Sequence, residues 1–77
     1  MIEIYRMIER MEREIGNGAV VVVGIHAETG SLIFRVRWPN GMNVGMAYTL
    51  KYIEGIGDME KLIENSIFHF RSRYEAG

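Results

Sequence analysis

The tightest restriction on the backbone lies at Trp38-Pro39-Asn40-Gly41. Proline presets φ for the second position of a type I turn, asparagine suits the third position, and glycine accepts the left-handed fourth. These preferences predict a three-residue hairpin loop that pairs Trp38 with Met42. Counting outward from this pair sets the register of both strands, and the opposed residues on one face are then apolar throughout.

A second turn, Ala27-Glu28-Thr29-Gly30, leads into the same central strand. If Gly30 is left-handed and His26 pairs with Ser31, residues 19–50 form a three-stranded antiparallel meander with one continuous apolar face. We expect this face to form the core. Its members are Val21, Val23, Ile25, Leu32, Phe34, Val36, Trp38, Met42, Val44, Met46 and Tyr48.

Helical periodicity precedes and follows the meander. Residues 2–15 place Ile4, Ile8, Met11 and Ile15 on one stripe, and Gly16-Asn17-Gly18 should end this helix. Residues 59–75 carry a second stripe, with Asp58 as the N-cap. The members of this stripe are Met59, Leu62, Ile63, Ser66, Ile67, Phe70 and Tyr74.

Residues 50–57 contain two glycines, which predict a connector in which Tyr52, Ile53 and Ile56 pack inward. The predicted fold is α+β, in the order helix, three-stranded meander, helix. Since each helix has one apolar stripe and only one sheet face is uniformly apolar, both helices should cover that face. The chain is predicted to be a single domain, 1–77.

The opposite face of the meander should be open to solvent or to a partner. It combines two arginines with valines and small residues, a composition that suits protein interfaces, although scattered exposed valines are also normal on a solvated sheet. The residues predicted to bind a partner are Val20, Val22, His26, Ile33, Arg35, Arg37, Asn43 and Thr49.

The first strand begins with Val20-Val21-Val22-Val23 and lies at an edge of the predicted sheet. A valine-rich edge without charge or proline tends to pair with other strands unless it is covered. Homodimerisation through this edge is one solution. Cover by a protein partner or by a helix of the same chain is another.

Composition narrows the functional classes. The chain has 77 residues, no cysteine and a net charge of −1, which argues against disulfides, thiolate metal sites and strong non-specific attraction to nucleic acid. No apolar run approaches the roughly 18 residues of a membrane span, and the N-terminal residues lack signal-peptide features. We therefore expect a soluble, cytoplasmic protein.

Signatures of catalysis are missing from the sequence. The two histidines, His26 and His69, lie on different predicted elements, and neither a nucleophile elbow nor a phosphate-binding glycine loop occurs. We therefore predict no enzymatic activity, no catalytic residue, no metal site and no cofactor.

The element order resembles that of the double-stranded-RNA-binding domain over most of the chain. That family contacts phosphates through a basic cluster at the start of its second helix and reads a groove with its first hairpin loop. Here the corresponding stretches are Asp58-Met59-Glu60-Lys61 and Ala27-Glu28-Thr29-Gly30, and both carry acidic residues. The resemblance implies a nucleic-acid-binding module, but the expected phosphate contacts are not matched.

The small size, the helix–meander–helix order and the lack of catalytic motifs also resemble those of small phage-encoded inhibitors such as anti-CRISPR proteins. This resemblance implies a protein inhibitor that occupies a surface of a larger protein, for example a bacterial defence protein. A protein-binding module of this kind is our leading hypothesis. A nucleic-acid-binding module and a homo-oligomeric structural protein are the alternatives.

Overall fold

The computed structural model describes the backbone from Ile2 to Gly77 and the side chains from Glu3 onward. It confirms the predicted α+β fold, with one additional short helix. The elements are α1 (Ile2–Ile15), β1 (Val20–Ile25), β2 (Leu32–Arg37), β3 (Asn43–Tyr48), α2 (Leu50–Ile56) and α3 (Met59–Ala76). The strands form one antiparallel sheet in the order β1-β2-β3.

Both predicted hairpin registers are confirmed. The His26 amide donates a hydrogen bond to the Ser31 carbonyl at 2.9 Å, and the Trp38 amide donates to the Met42 carbonyl at 3.0 Å. Gly30 and Gly41 adopt φ values of 72° and 91°, which is the left-handed region that the turns require. Strand pairing then continues without a slip, and Phe34 lies opposite both Val23 and Met46.

The core lies between one face of the sheet and the two long helices. Phe34 and Val36 of β2 are completely shielded from solvent, and they pack in one cluster with Met11 of α1 and with Leu62 and Phe70 of α3. The stripes predicted from helical spacing therefore supply the buried side chains. Both long helices cover the same sheet face, as the single apolar face requires.

Ile25 was predicted to be a core residue, and this prediction is wrong. Its side chain points to the helix side of the sheet but is 73% exposed. Ile4 and Met59, which the predicted helical stripes also include, are about half exposed. The helices cover the middle of the sheet and leave the last residue of β1 uncovered, so a position on the apolar face is not by itself a buried position.

The predicted connector at residues 50–57 is also wrong in part, because Leu50–Ile56 forms α2. Thr49 caps its start by accepting a hydrogen bond from the Tyr52 amide at 3.1 Å, and Gly57 ends it with a φ of 63°. Ile53 and Ile56 are half-buried, as expected, whereas Tyr52, which was also expected to pack inward, is 46% exposed. Gly55 lies inside the helix, where glycine costs only about 1 kcal/mol relative to alanine.

Within residues 2–77, no helix combines the length and the apolar character needed to cross a lipid bilayer.

Candidate interaction surface

The sheet face opposite the helices, which we call the open face, carries the residues predicted to bind a partner. Alternation along β2 buries Phe34 and Val36 and exposes Arg35 and Arg37. Of the predicted residues, Ile33 is half-buried and the others are exposed: Val20, Val22, His26, Arg35, Arg37, Asn43 and Thr49.

Strand pairing arranges these side chains in rows. Arg37 lies between Val20 and Asn43, and Arg35 lies between Val22 and Gly45. Each arginine therefore lies opposite an exposed valine on β1 and a small or amide-bearing residue on β3. The arrangement sets two cations among residues that are mostly apolar or small.

The open face has no acidic residue, although the chain as a whole has a net charge of −1. Within the described residues, the salt bridges are made by Arg10, which contacts Glu14 and Glu60 at 2.6 and 2.5 Å. Arg35 and Arg37 have no carboxylate within salt-bridge distance in this part of the chain. Their charge is therefore available to an external carboxylate.

Arg10 differs from these arginines because it joins two helices. Its hydrogen bonds to Glu14 of α1 and Glu60 of α3 raise the pKa of its guanidinium group further. The charge of Arg10 is already matched within the fold, so it contributes to the packing of α1 on α3 rather than to a binding site.

Two of the predicted residues have local structural roles. The His26 ring nitrogen Nδ1 lies 3.3 Å from the Thr29 hydroxyl, which also contacts the Ser31 hydroxyl at 2.9 Å. Thr49 caps α2. Both side chains remain exposed at one end of the open face, but their present partners stabilise a turn and a helix start.

The two histidines lie in different parts of the fold. His26 lies at the tip of the first hairpin, whereas His69 lies on α3 against the ring of Phe70. The described residues contain no group of three or more His, Asp or Glu side chains that could bind a metal ion.

An apolar groove, which sequence reasoning missed, lies on the helix side of the sheet at the end of β1. It has a volume of about 720 Å³ and is open to solvent. Glu3 and Glu60 lie on its rim, and Glu60 is paired with Arg10. The apolar side chains that form the groove include Ile4, Met7, Ile8, Val23, Ile25 and Met59.

The outer edge of β1 adjoins this groove. Successive residues of an edge strand direct their backbone N–H and C=O groups alternately toward and away from the neighbouring strand. Because the His26 amide bonds to Ser31, the backbone groups that face β2 are those of Val20, Val22 and Gly24. Those of Val21, Val23 and Ile25 face outward. The Glu12 carboxylate accepts a hydrogen bond from the Val21 amide at 2.9 Å, which both agrees with this alternation and covers part of the edge.

Comparison of the chain with protein-family models, with curated proteins and with solved structures finds no significant match.

Proposed function

We propose that this protein is a non-catalytic binding module that occupies a surface of a larger protein through its open face. The observation that supports the proposal is the pair Arg35 and Arg37, two cations without an acidic neighbour on the face, set beside the exposed side chains of Val20 and Val22. Arginine in an apolar surround is typical of the residues that contribute most to protein interfaces.

The spacing of the arginines suggests the chemistry of the partner. Residues two apart on a strand project from the same face at a separation of about 6.6–6.8 Å. Two carboxylates at a similar spacing, surrounded by apolar side chains, would match both guanidinium groups and the valines. We therefore propose an acidic, partly apolar protein surface as the target.

A nucleic-acid partner has less support. Single-stranded nucleic acid is usually bound by exposed aromatic rings on which bases stack. Phe34, Trp38 and Tyr48 are all buried on the helix side of the sheet, so the open face offers charge without a stacking platform.

Inhibition of a bacterial defence protein is the specific form of this proposal. A module of this size can block a larger protein by covering the surface that the larger protein needs. The small size, the element order and the absence of catalytic motifs support this form.

The test is affinity capture from phage-infected bacterial lysates with three purified proteins: the wild type, the double variant Arg35→Glu/Arg37→Glu and the control Arg71→Glu/Arg73→Glu. The control reverses two exposed charges on α3. We expect one protein to be captured by the wild type and the control but not by the open-face variant. All three should unfold at similar temperatures, because the changed residues are outside the core.

Binding of the captured protein should then be measured at increasing salt concentrations. A complex anchored on an apolar surround should weaken modestly, whereas a phosphate-driven complex loses affinity steeply. Equal capture by the open-face variant would place the binding site elsewhere, and a steep salt dependence that nuclease treatment abolishes would favour nucleic acid.

A further inference from the structure

The outer edge of β1 and the adjoining apolar groove form a surface that is incomplete in the monomer. The amide and carbonyl groups of Val23 and Ile25 face outward, and the side chain of Ile25 is 73% exposed. The hydrogen bond to Glu12 uses the Val21 amide and neither of these residues. The open part of the edge is therefore Val23 to Ile25, which is shifted toward the hairpin from the residues 20–23 considered in the sequence.

We propose that two copies of this chain pair through β1, antiparallel and around a two-fold axis that passes beside Gly24. In this register Val23 of each copy lies opposite Ile25 of the other, and the two residues exchange backbone hydrogen bonds. Opposed residues of an antiparallel pair share a face, so Ile25 of each copy enters the groove of the other on the helix side.

The register follows from which backbone groups are free. Pairing Val23 with Val23 would place Ile25 against Val21, whose amide already binds Glu12. Pairing Ile25 with Ile25 would extend the contact into the turn that begins at Ala27. Centring on Gly24 uses the two free residues of each strand and no others. Gly24 lies at the centre of this register, and a side chain introduced there would meet no atom of its own chain within 4 Å of its Cβ.

The charges of the surface also favour a second copy as the occupant. Strand β1 reads Val-Val-Val-Val-Gly-Ile and has no ionisable side chain, so two copies meet without like charges along the strand. The groove lining is mainly apolar, and of its two rim carboxylates Glu60 is paired with Arg10, which leaves Glu3 without a salt bridge among the described residues. An uncharged strand with a protruding aliphatic side chain fits the groove, and β1 is such a strand.

The other edge of the sheet fits a partner less well. The side chains that β3 directs to the helix side are already covered, since Val44 and Tyr48 are buried and Met46 is half-buried. None of the helix-side residues of β3 itself is exposed as Ile25 is. Pairing β1 with β1 is also closed under two-fold symmetry, whereas pairing β1 with β3 is heterologous and would build a ring or a filament.

The dimer would place two open faces side by side and would leave both of them outside the dimer interface. A two-fold axis perpendicular to the sheet leaves both open faces on the same side, so Arg35 and Arg37 of the two copies could contact a repeated or extended partner. The residues of the two proposals are different, and each can therefore fail without the other.

Sedimentation equilibrium provides the first test, with Ile25→Lys as the variant and Phe68→Lys as the control. Phe68 is 75% exposed on α3, far from β1 in sequence and outside the groove lining. We expect the wild type and the control to approach twice the 8.9 kDa of one chain as concentration rises. Ile25→Lys should dissociate at least about tenfold more readily, which corresponds to about 1.4 kcal/mol, with an unchanged circular dichroism spectrum.

A cross-linking test reports the register directly, because the chain has no cysteine. Directly opposed residues of a non-hydrogen-bonded pair have Cα atoms about 4.5 Å apart, which a disulfide can span. Gly24→Cys should therefore oxidise readily to a covalent dimer in dilute solution. Gly45→Cys, the matched control on β3, should not form a covalent dimer under the same conditions. Both glycines can be replaced without backbone strain, because neither has a positive φ.

Three results would overturn the proposal. A wild type that stays at 8.9 kDa at every concentration would show that the edge is unpaired. A dimer that Ile25→Lys does not weaken would place the interface elsewhere. Preferential cross-linking of Gly45→Cys would identify β3 as the paired edge.

Discussion

The Tyr48 hydroxyl lies 2.7 Å from the Ser66 hydroxyl in the interior, where it joins the last residue of β3 to the middle of α3. Ser66 is completely buried, and its hydroxyl donates to the Leu62 carbonyl at 2.8 Å. Because the serine proton is used in that bond, Tyr48 is the donor to Ser66. This pair is a polar contact between sheet and helix among buried side chains that are mostly apolar.

Replacing Ser66 should expose the dependence of Tyr48 on this acceptor. Ser66→Ala leaves a buried hydroxyl without a partner and should lower the free energy of unfolding by about 1–3 kcal/mol. The same change made in a Tyr48→Phe background should cost less, because no hydroxyl is then left unpaired. Urea unfolding of the two single variants, the double variant and the wild type measures this coupling. Additive effects would contradict the assigned hydrogen bond.

Tyr48 should also give the protein a specific weakness at alkaline pH. Burial raises the pKa of its hydroxyl, and the nearby Tyr52 raises it further. Since the folded state favours the neutral form, the contribution of Tyr48 to stability is complete below the unfolded pKa of about 10. It is lost as pH rises through the higher folded value.

Urea unfolding between pH 8 and pH 11 tests this dependence. Tyr48→Phe should reduce the alkaline loss of stability, whereas Tyr5→Phe, which removes a hydroxyl from a 64% exposed ring, should keep the wild-type profile. Identical profiles for the wild type and Tyr48→Phe would show that other groups control alkaline unfolding.

Phe34 is the residue whose loss should be least tolerated. Its ring is completely buried and packs edge-on against Tyr48 at 6.0 Å between centroids. Phe34→Ala should cost about 3–5 kcal/mol, and a typical domain has only about 5–15 kcal/mol in total. We expect a large fall in the midpoint of thermal unfolding. Phe68→Ala, a matched change at an exposed ring, should change stability by no more than about 0.5 kcal/mol.

Glu12 should stabilise the fold through the backbone of a neighbouring element. Its carboxylate accepts the Val21 amide proton and so ties α1 to the edge of β1. Glu12→Ala should cost about 1–2 kcal/mol and should speed hydrogen exchange at the Val21 amide. Glu12→Gln, which retains an acceptor oxygen, should cost less, and Glu9→Ala on the exposed side of α1 should have little effect. Equal losses for the alanine and glutamine variants at position 12 would rule out this role.

The strand register was predictable because it depends on local chemistry. Proline at 39 and the left-handed glycines at 30 and 41 restrict each turn to few conformations, and a strand of period two then assigns every side chain to a face. The faces of Phe34 and Arg35 follow directly from this count. The same local reasoning located Asp58, whose carboxylate accepts from the Glu60 amide at 3.0 Å and caps α3.

Helix α2 was not predicted, because Gly55 and Gly57 suggested only an interruption of helical structure. Gly57 is in fact the left-handed residue that ends a helix, and Thr49 is the N-cap that starts it. Both are recognisable signals at the correct spacing. Thr49 directly follows the end of β3 at Tyr48, so the alternation of the strand and the N-cap position of α2 both apply to it.

The groove beside β1 was not predictable from periodicity. Alternation places Ile25 on the helix side of the sheet, but whether a helix covers it depends on where α1 and α3 cross that face. Crossing positions result from the packing of many side chains together. The exposure of Ile25, Ile4 and Met59 is therefore a property of the assembled fold.

The position of Trp38 has a practical consequence for studying this chain. Its indole is 4% exposed and rests against the ring of Tyr74 near the end of α3, with centroids 5.0 Å apart. No other tryptophan occurs in the sequence. The tryptophan fluorescence of the protein should thus come from one shielded indole. Its emission should shift to longer wavelength when α3 separates from the sheet, so the rate of this separation can be measured without an added label.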